Sequence, residues 1–265
     1  MGDLELEKFL FDLNGYLIIE DVLSKDETLE LSQLLNDHQL PAIDPDTGSC
    51  EISGGGAGAE GAGFLEFGTQ FCNLLDHPKI MPALRLVLGE GFRLDHFWGA
   101  AAESGANALR LHGGVVPFNQ TDHFFSRGDK LYSGLTNVAW NLRDSGGEHG
   151  GFMVLPGSHK ANFTLPKEML DREENAYGVL VPEAKAGSVI IFSEAVLHGT
   201  AGWKASHQRQ TLFFSYTPSH IAYSRKQAVP PTEAQLTKRQ RLLFEPPSAP
   251  HSFNRPTLFE AEYAP

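Results

Sequence analysis

The chain has 265 residues, 41% of them apolar and 18 of them Phe, enough for a substantial core in one large domain or two small ones. Its net charge of −12 argues against nucleic acid or an anionic membrane as partner, because both need clustered Lys and Arg. Two cysteines, Cys50 and Cys72, are too few for a disulfide framework or a cysteine-rich zinc site and fit a reducing, cytoplasmic compartment. No run reaches the ~18 apolar residues of a membrane span, and the acidic start lacks the basic-then-apolar order of a signal peptide.

Residues 4–14 read as a short helix ended by Gly15, and 16–20 as a short strand. Ser24 with Glu27 three residues on is a capping box, and Leu29, Leu31, Leu34 and Leu35 give the following helix an apolar face through about His38. Residues 41–63 hold Asp44-Pro-Asp-Thr-Gly48 and Ser53-Gly-Gly-Gly-Ala-Gly58 and show no periodicity. They are expected to form a mobile surface loop, plausible as a lid. Residues 64–88 read as two helices separated near Pro78 and Pro82.

From Gly91 onward short β runs alternate with turn residues, at 91–98, 107–118, 133–142, 151–155, 187–197 and 208–217. That spacing favours a sandwich or jelly roll over a parallel α/β sheet. Leu135–Leu142 is too apolar for a strand with one wet face and is expected at the centre of a sheet. The chain reads as one domain over 1–265, with a helical front over 1–90, a jelly-roll core over 91–220 and a C-terminal wrap over 221–265. Oligomeric state is not readable.

Eleven histidines are present, and most call for no role. His38, His77, His207 and His251 sit in polar or terminal contexts, and His159 in Pro156-Gly-Ser-His-Lys160 suits a structural hydrogen bond. His112 and His198 differ. Each ends a β run and is followed by small residues, Gly113-Gly114 and Gly199-Thr200, so the two can meet in a barrel mouth and bind a metal. Arg209 follows eleven residues after His198 on the next strand, within an apolar run, where a guanidinium can grip a dicarboxylic acid.

The ordered set Asn14-Gly-Tyr-Leu-Ile-Ile-Glu-Asp-Val-Leu-Ser24, Trp140-Asn-Leu142, Gly150-Gly-Phe-Met-Val-Leu-Pro-Gly-Ser-His-Lys160 and Gly187-Ser-Val-Ile-Ile-Phe192, with His198-Gly-Thr200 and Arg209, resembles the phytanoyl-CoA dioxygenase-like family of Fe(II)/2-oxoglutarate oxygenases. The resemblance implies a mainly β, cupin-like jelly roll, the double-stranded β-helix, flanked by N-terminal helices. It implies Fe(II) and 2-oxoglutarate as cofactors, with molecular oxygen and a small molecule as reaction partners. It places His112 and His198 on the metal, Arg209 and Thr200 on the far carboxylate of oxoglutarate, and Trp140 beside it.

The family's His-x-Asp or His-x-Glu reads His112-Gly113-Gly114 here. One reading takes the third ligand from elsewhere, best from Glu194, which strand alternation could turn inward with His198, less well from Asp122 or Glu148. A second leaves the Gly114 vacancy to chloride, the pattern of a halogenase. A third keeps the fold as a binding protein without catalysis. A register using His123 would put Phe125 in the acid position and gains nothing. The expected reaction is hydroxylation of an aliphatic C–H, or its chlorination if a halide binds. His96, Trp98, Phe118, the 123–125 loop and Arg110 are candidate pocket residues. A cupin-type metal enzyme without oxoglutarate is the competing class, and it has no need of a buried Arg209.

Overall fold

The computed structural model describes residues 4–38, 40–170, 173–232, 236–249 and 255–260; His251, given no role above, lies outside them. The front of the chain forms where local chemistry demands it. Helix α1 (Leu4–Asn14) stops at Gly15, whose φ of 80° suits the left-handed turn that releases β1 (Tyr16–Ile19). Ser24 caps α2 (Lys25–Asp37) through the reciprocal box with Glu27.

Residues 41–63 depart from the expected loop. They contain β2 (Ser49–Gly55), an edge strand paired antiparallel to β3 (Arg93–Ala102). The glycines that hid the strand are what let it dock, since a Cβ on Gly54 would sit 1.7 Å from the carbonyl oxygen of Phe97. Residues 49–55 are thus anchored to the sheet rather than free on the surface. Residues 64–88 hold two helices, α3 (Thr69–Cys72) and α4 (Met81–Leu88), the second with Pro82 in its first turn.

Strands β3 (Arg93–Ala102), β4 (Leu109–His112), β5 (Phe124–Arg127), β6 (Lys130–Ser133), β7 (Thr136–Asn141) and β8 (Gly151–Val154) follow. After the short helix α5 (Lys167–Leu170) come β9 (Val189–Ser193), β10 (His198–Ala201) and β11 (Arg209–Thr217), and α6 (Lys238–Leu243) lies in the C-terminal stretch. The described strands form a six-stranded sheet ordered β1-β9-β7-β11-β3-β2, a three-stranded sheet ordered β4-β10-β8, and the β5–β6 hairpin. Every pairing is antiparallel. This is the expected jelly roll, with its mouth open rather than closed into a barrel.

Alternation along the large sheet sorts side chains into two layers. Val138, Trp140, Val189, Ile191, Leu212, Phe214 and Tyr216 join Phe11, Leu31, Leu35, Phe64 and Leu84 in the main core behind the sheet. Ala139, Ile190, Phe192 and Phe213 face the small sheet and pack with Phe152 and Val154 of β8. β7 is buried at every position, as its composition predicts. The second layer contains the candidate site.

Candidate metal centre

Glu194 and His198 do not share one strand. The run expected over 187–197 breaks after Ser193, and a turn carries the chain from the large sheet to the small one, where His198 opens β10. Glu194 sits in that turn, held by hydrogen bonds from its own N–H to the Leu135 carbonyl and from the Gly114 N–H to its carbonyl. A turn, not strand alternation, aims its carboxylate inward. His198 pairs with His112 across β10 and β4, so the two imidazoles meet with ring centroids 4.3 Å apart.

His112, Glu194 and His198 each offer a ligand atom within 4.8 Å of the others. His112 Nδ1 lies 2.9 Å from the Arg110 carbonyl and His198 Nδ1 lies 2.8 Å from the Val196 carbonyl. A carbonyl only accepts, so both rings carry their proton on Nδ1 and keep the Nε2 lone pair for a metal. His198 Nε2 is 3.8 Å from Glu194 Oε2, too far for a hydrogen bond. Two ligand atoms each about 2.1 Å from one metal lie about 3 to 4 Å apart, so this gap fits an ion between them. Burial pushes the pKa of His198 down, helped by His112 and opposed by Glu194 and the Val196 carbonyl, and the neutral ring is the ligating form.

Asn137 completes the cluster and was not foreseen from sequence. Its Nδ2 donates to Glu194 Oε2 at 2.8 Å, and its Oδ1 accepts from Ser215 at 2.6 Å, which fixes the amide's orientation. The signal was present in the alternation of β7, which puts residue 137 on the same face as Ala139. Of the weaker acid candidates, Asp122 is close enough for Glu194 to raise its pKa, after burial as the larger cause, but neither it nor exposed Glu148 joins the ligand group.

The three ligands border a cavity of about 180 Å³ that also takes in Thr200, Arg209, Phe213, Trp98 and His96. Arg209 is 6% exposed, and its Nε donates to Thr211 Oγ1 at 3.2 Å. Among the described residues no carboxylate pairs with it. Burial lowers its pKa to about 10, so it stays charged at neutral pH. A buried guanidinium without a counter-ion is costly unless an anion arrives.

Trp140 requires a correction. It lies on the opposite face of β7, fully buried in the core behind the sheet, edge-on to His77, and does not line the cavity. Its even number on the strand decides this, since the cavity face of β7 carries 137, 139 and 141. Trp140→Ala should therefore cost about 3 to 5 kcal/mol of stability, while Trp140→Phe should leave oxoglutarate affinity unchanged; urea unfolding and isothermal titration check the two halves. Phe118, 73% exposed, and residues 123–125 also stay outside the cavity, whereas His96 and Trp98 line it. Arg110 contributes its carbonyl to His112 and does not line the cavity.

Gly113 and Gly114 have φ of 80° and 93°. A Cβ on Gly114 would meet only the side chain of Leu197, at 3.1 Å, and no atom of the three ligands within 4 Å. Position 114 is not among the residues that line the cavity.

The sequence profile of the phytanoyl-CoA dioxygenase (PhyH) family matches residues 11–211. The chain belongs to that family. Membership makes it an iron- and 2-oxoglutarate-dependent enzyme of the oxygenase class, and the donor set and the orphaned Arg209 fit those two groups. Among solved structures, HygX from Streptomyces hygroscopicus with nickel, 2-oxoglutarate and hygromycin B bound superposes with a TM-score of 0.69 at 21% identity, over 82% of this chain and 88% of that one. The same protein with iron bound gives 0.68 at 21%, over 82% and 87%. SnoN, a non-heme α-ketoglutarate-dependent epimerase from nogalamycin biosynthesis, gives 0.59 at 18%, over 89% and 96%. At these identities the likeness is one of fold. No curated protein matches the sequence. Among the described residues no helix is long and apolar enough to cross a membrane.

Proposed function

We propose that this chain hydroxylates an aliphatic C–H of a small molecule, with Fe(II) held by His112, His198 and Glu194. The observation that carries the reading is the orphaned Arg209 guanidinium in the same cavity as that cluster. Arg209 would bind the far carboxylate of oxoglutarate bidentately, and Thr200, which lines the same cavity, would add a hydroxyl donor. When bound, iron would let molecular oxygen, the oxidant, oxidise both oxoglutarate and the substrate C–H. The chain supplies placement and dryness: Phe152, Phe192 and Phe213 wall the cavity against water, and Asn137 keeps the Glu194 carboxylate turned toward the histidines. A small-molecule substrate suits the cavity's size, and the related fold of HygX holds hygromycin B. A cytoplasmic setting suits the free thiols of Cys50 and Cys72.

Chlorination would need a halide in the place of a missing carboxylate. Glu194 supplies a carboxylate to the cluster, and position 114 faces Leu197, so hydroxylation is the better-supported outcome. Anaerobic addition of Fe(II) and then 2-oxoglutarate should give the visible metal-to-ligand charge-transfer band of the chelate, with no shift on adding chloride. Absence of the band in iron-loaded protein would refute the oxygenase site, and a chloride-dependent shift would turn the reading to halogenation.

A further inference from the structure

The cavity has two ends. Along β11, Arg209 pairs with Ala102 and Ser215 pairs with His96, six residues away, or about 20 Å of strand. Phe213 lies between them, stacked on Trp98 at 4.4 Å. One end belongs to Arg209. At the other, His96, Ser215 and Asn137 form a row across three strands, and Asn137 touches Glu194.

His96 is unusually prepared. The β3–β11 register slips between Ser215 and Tyr216, which pair with His96 and Leu94, leaving Asp95 as the extra residue of a β-bulge. The bulge breaks alternation, so consecutive Asp95 and His96 meet, Oδ1 to Nδ1 at 3.0 Å. Asp95 also accepts from Arg93 Nη1 at 2.9 Å and from the backbone N–H of Tyr223 and Ser224 at 2.9 and 3.0 Å. Burial alone would raise its carboxyl, but the donors from His96, Ser224 and Tyr223 outweigh it and hold the group ionised. An ionised carboxylate only accepts, so His96 carries its proton on Nδ1. Nε2 is left as an acceptor with no partner among the described residues, on a side chain that lines the cavity under the stacked ring of Tyr223.

We propose that His96 Nε2 accepts a hydrogen bond from a substrate hydroxyl, and that the substrate class is an aliphatic alcohol or polyol. This rests on the oxygenase reading, which assigns the opposite end of the cavity to oxoglutarate. Asp95 is the positioning residue that fixes the tautomer, and Tyr223 fixes the ring plane.

The test uses the full chain labelled with ¹⁵N-imidazole histidine, loaded with diamagnetic zinc and 2-oxoglutarate. His96 is expected to show the Nδ1–H tautomer. Cyclohexanol should shift its Nε2 resonance, while methoxycyclohexane, one methyl larger and without a donor, should not. His96→Leu should weaken cyclohexanol binding about tenfold, the worth of one hydrogen bond, and leave oxoglutarate affinity unchanged, whereas His96→Gln keeps an acceptor and should retain binding. An Nε2–H tautomer, no response to cyclohexanol, an equal response to the ether, or unchanged cyclohexanol affinity in His96→Leu overturns the proposal. The tautomer and the alcohol response are read whether or not oxoglutarate binds, so failure of the oxygenase reading shows separately, as absent oxoglutarate binding.

Discussion

Glu194→Ala is expected to lower metal affinity on the order of a hundredfold or more, at the upper end of or beyond the 10- to 100-fold losses seen when only a ligand's supporting partner is removed. Two neutral imidazoles would remain, with no negative charge to offset a divalent ion. The Glu194 backbone keeps its bonds to Leu135 and Gly114 in the variant, so the fold and thermal midpoint should be unchanged. Anaerobic titration with Co(II) or Fe(II), read beside circular dichroism, separates ligand loss from unfolding. Gly114→Asp, added to Glu194→Ala, should not rescue binding, because a side chain at 114 is strained at positive φ and faces Leu197. Undiminished affinity in the single variant would remove Glu194 from the centre, and rescue by the double variant would show that a carboxylate at position 114 reaches it.

What the sequence made legible was mostly local. The capping box at Ser24 and the Gly15 stop act within one turn of chain, so helix ends could be read directly. The largely apolar run 135–142, with no charged residue, reported a buried strand for the same reason. Strand β2 was hidden because its evidence is non-local. Its glycines look like loop residues until the backbone of β3 lies against them.

The site followed the same division. His112, His198 and Arg209 stand at strand ends marked by small residues or inside an apolar run, so their spacing carried information. Glu194 was nominated on alternation, yet it is the turn after Ser193 that aims it, and no periodicity encodes that turn. Trp140 was misplaced although β7 alternates: Asn137, Ala139 and Asn141 mark one face, and Val138 and Trp140 lie on the other, behind the sheet. His96 was a pocket candidate, but its dyad with Asp95 depends on a register slip against β11, which no property of β3 alone reveals.

Arg209 offers an experiment in which binding and stability move in opposite directions. In the oxoglutarate-free protein its guanidinium is buried without a carboxylate partner among the described residues, so it opposes folding. Arg209→Met keeps much of the stem's volume and removes the charge. The thermal midpoint of the free protein should hold or rise. Oxoglutarate, deprived of its counter-ion in a dry cavity, should bind roughly 100-fold or more weakly, consistent with about 2 to 5 kcal/mol for breaking a buried charge pair. Metal affinity should not change, because Arg209 is not one of the three grouped ligands. Arg209→Lys keeps the charge but loses the planar fork, and its oxoglutarate affinity should fall between the two. Differential scanning calorimetry with and without oxoglutarate measures both effects in one protein. In wild type the ligand should raise the midpoint, and in Arg209→Met that rise should vanish. If the midpoint instead falls in the free variant while oxoglutarate still stabilises it, Arg209 is a structural cation and the anchor for the cosubstrate lies elsewhere in the cavity.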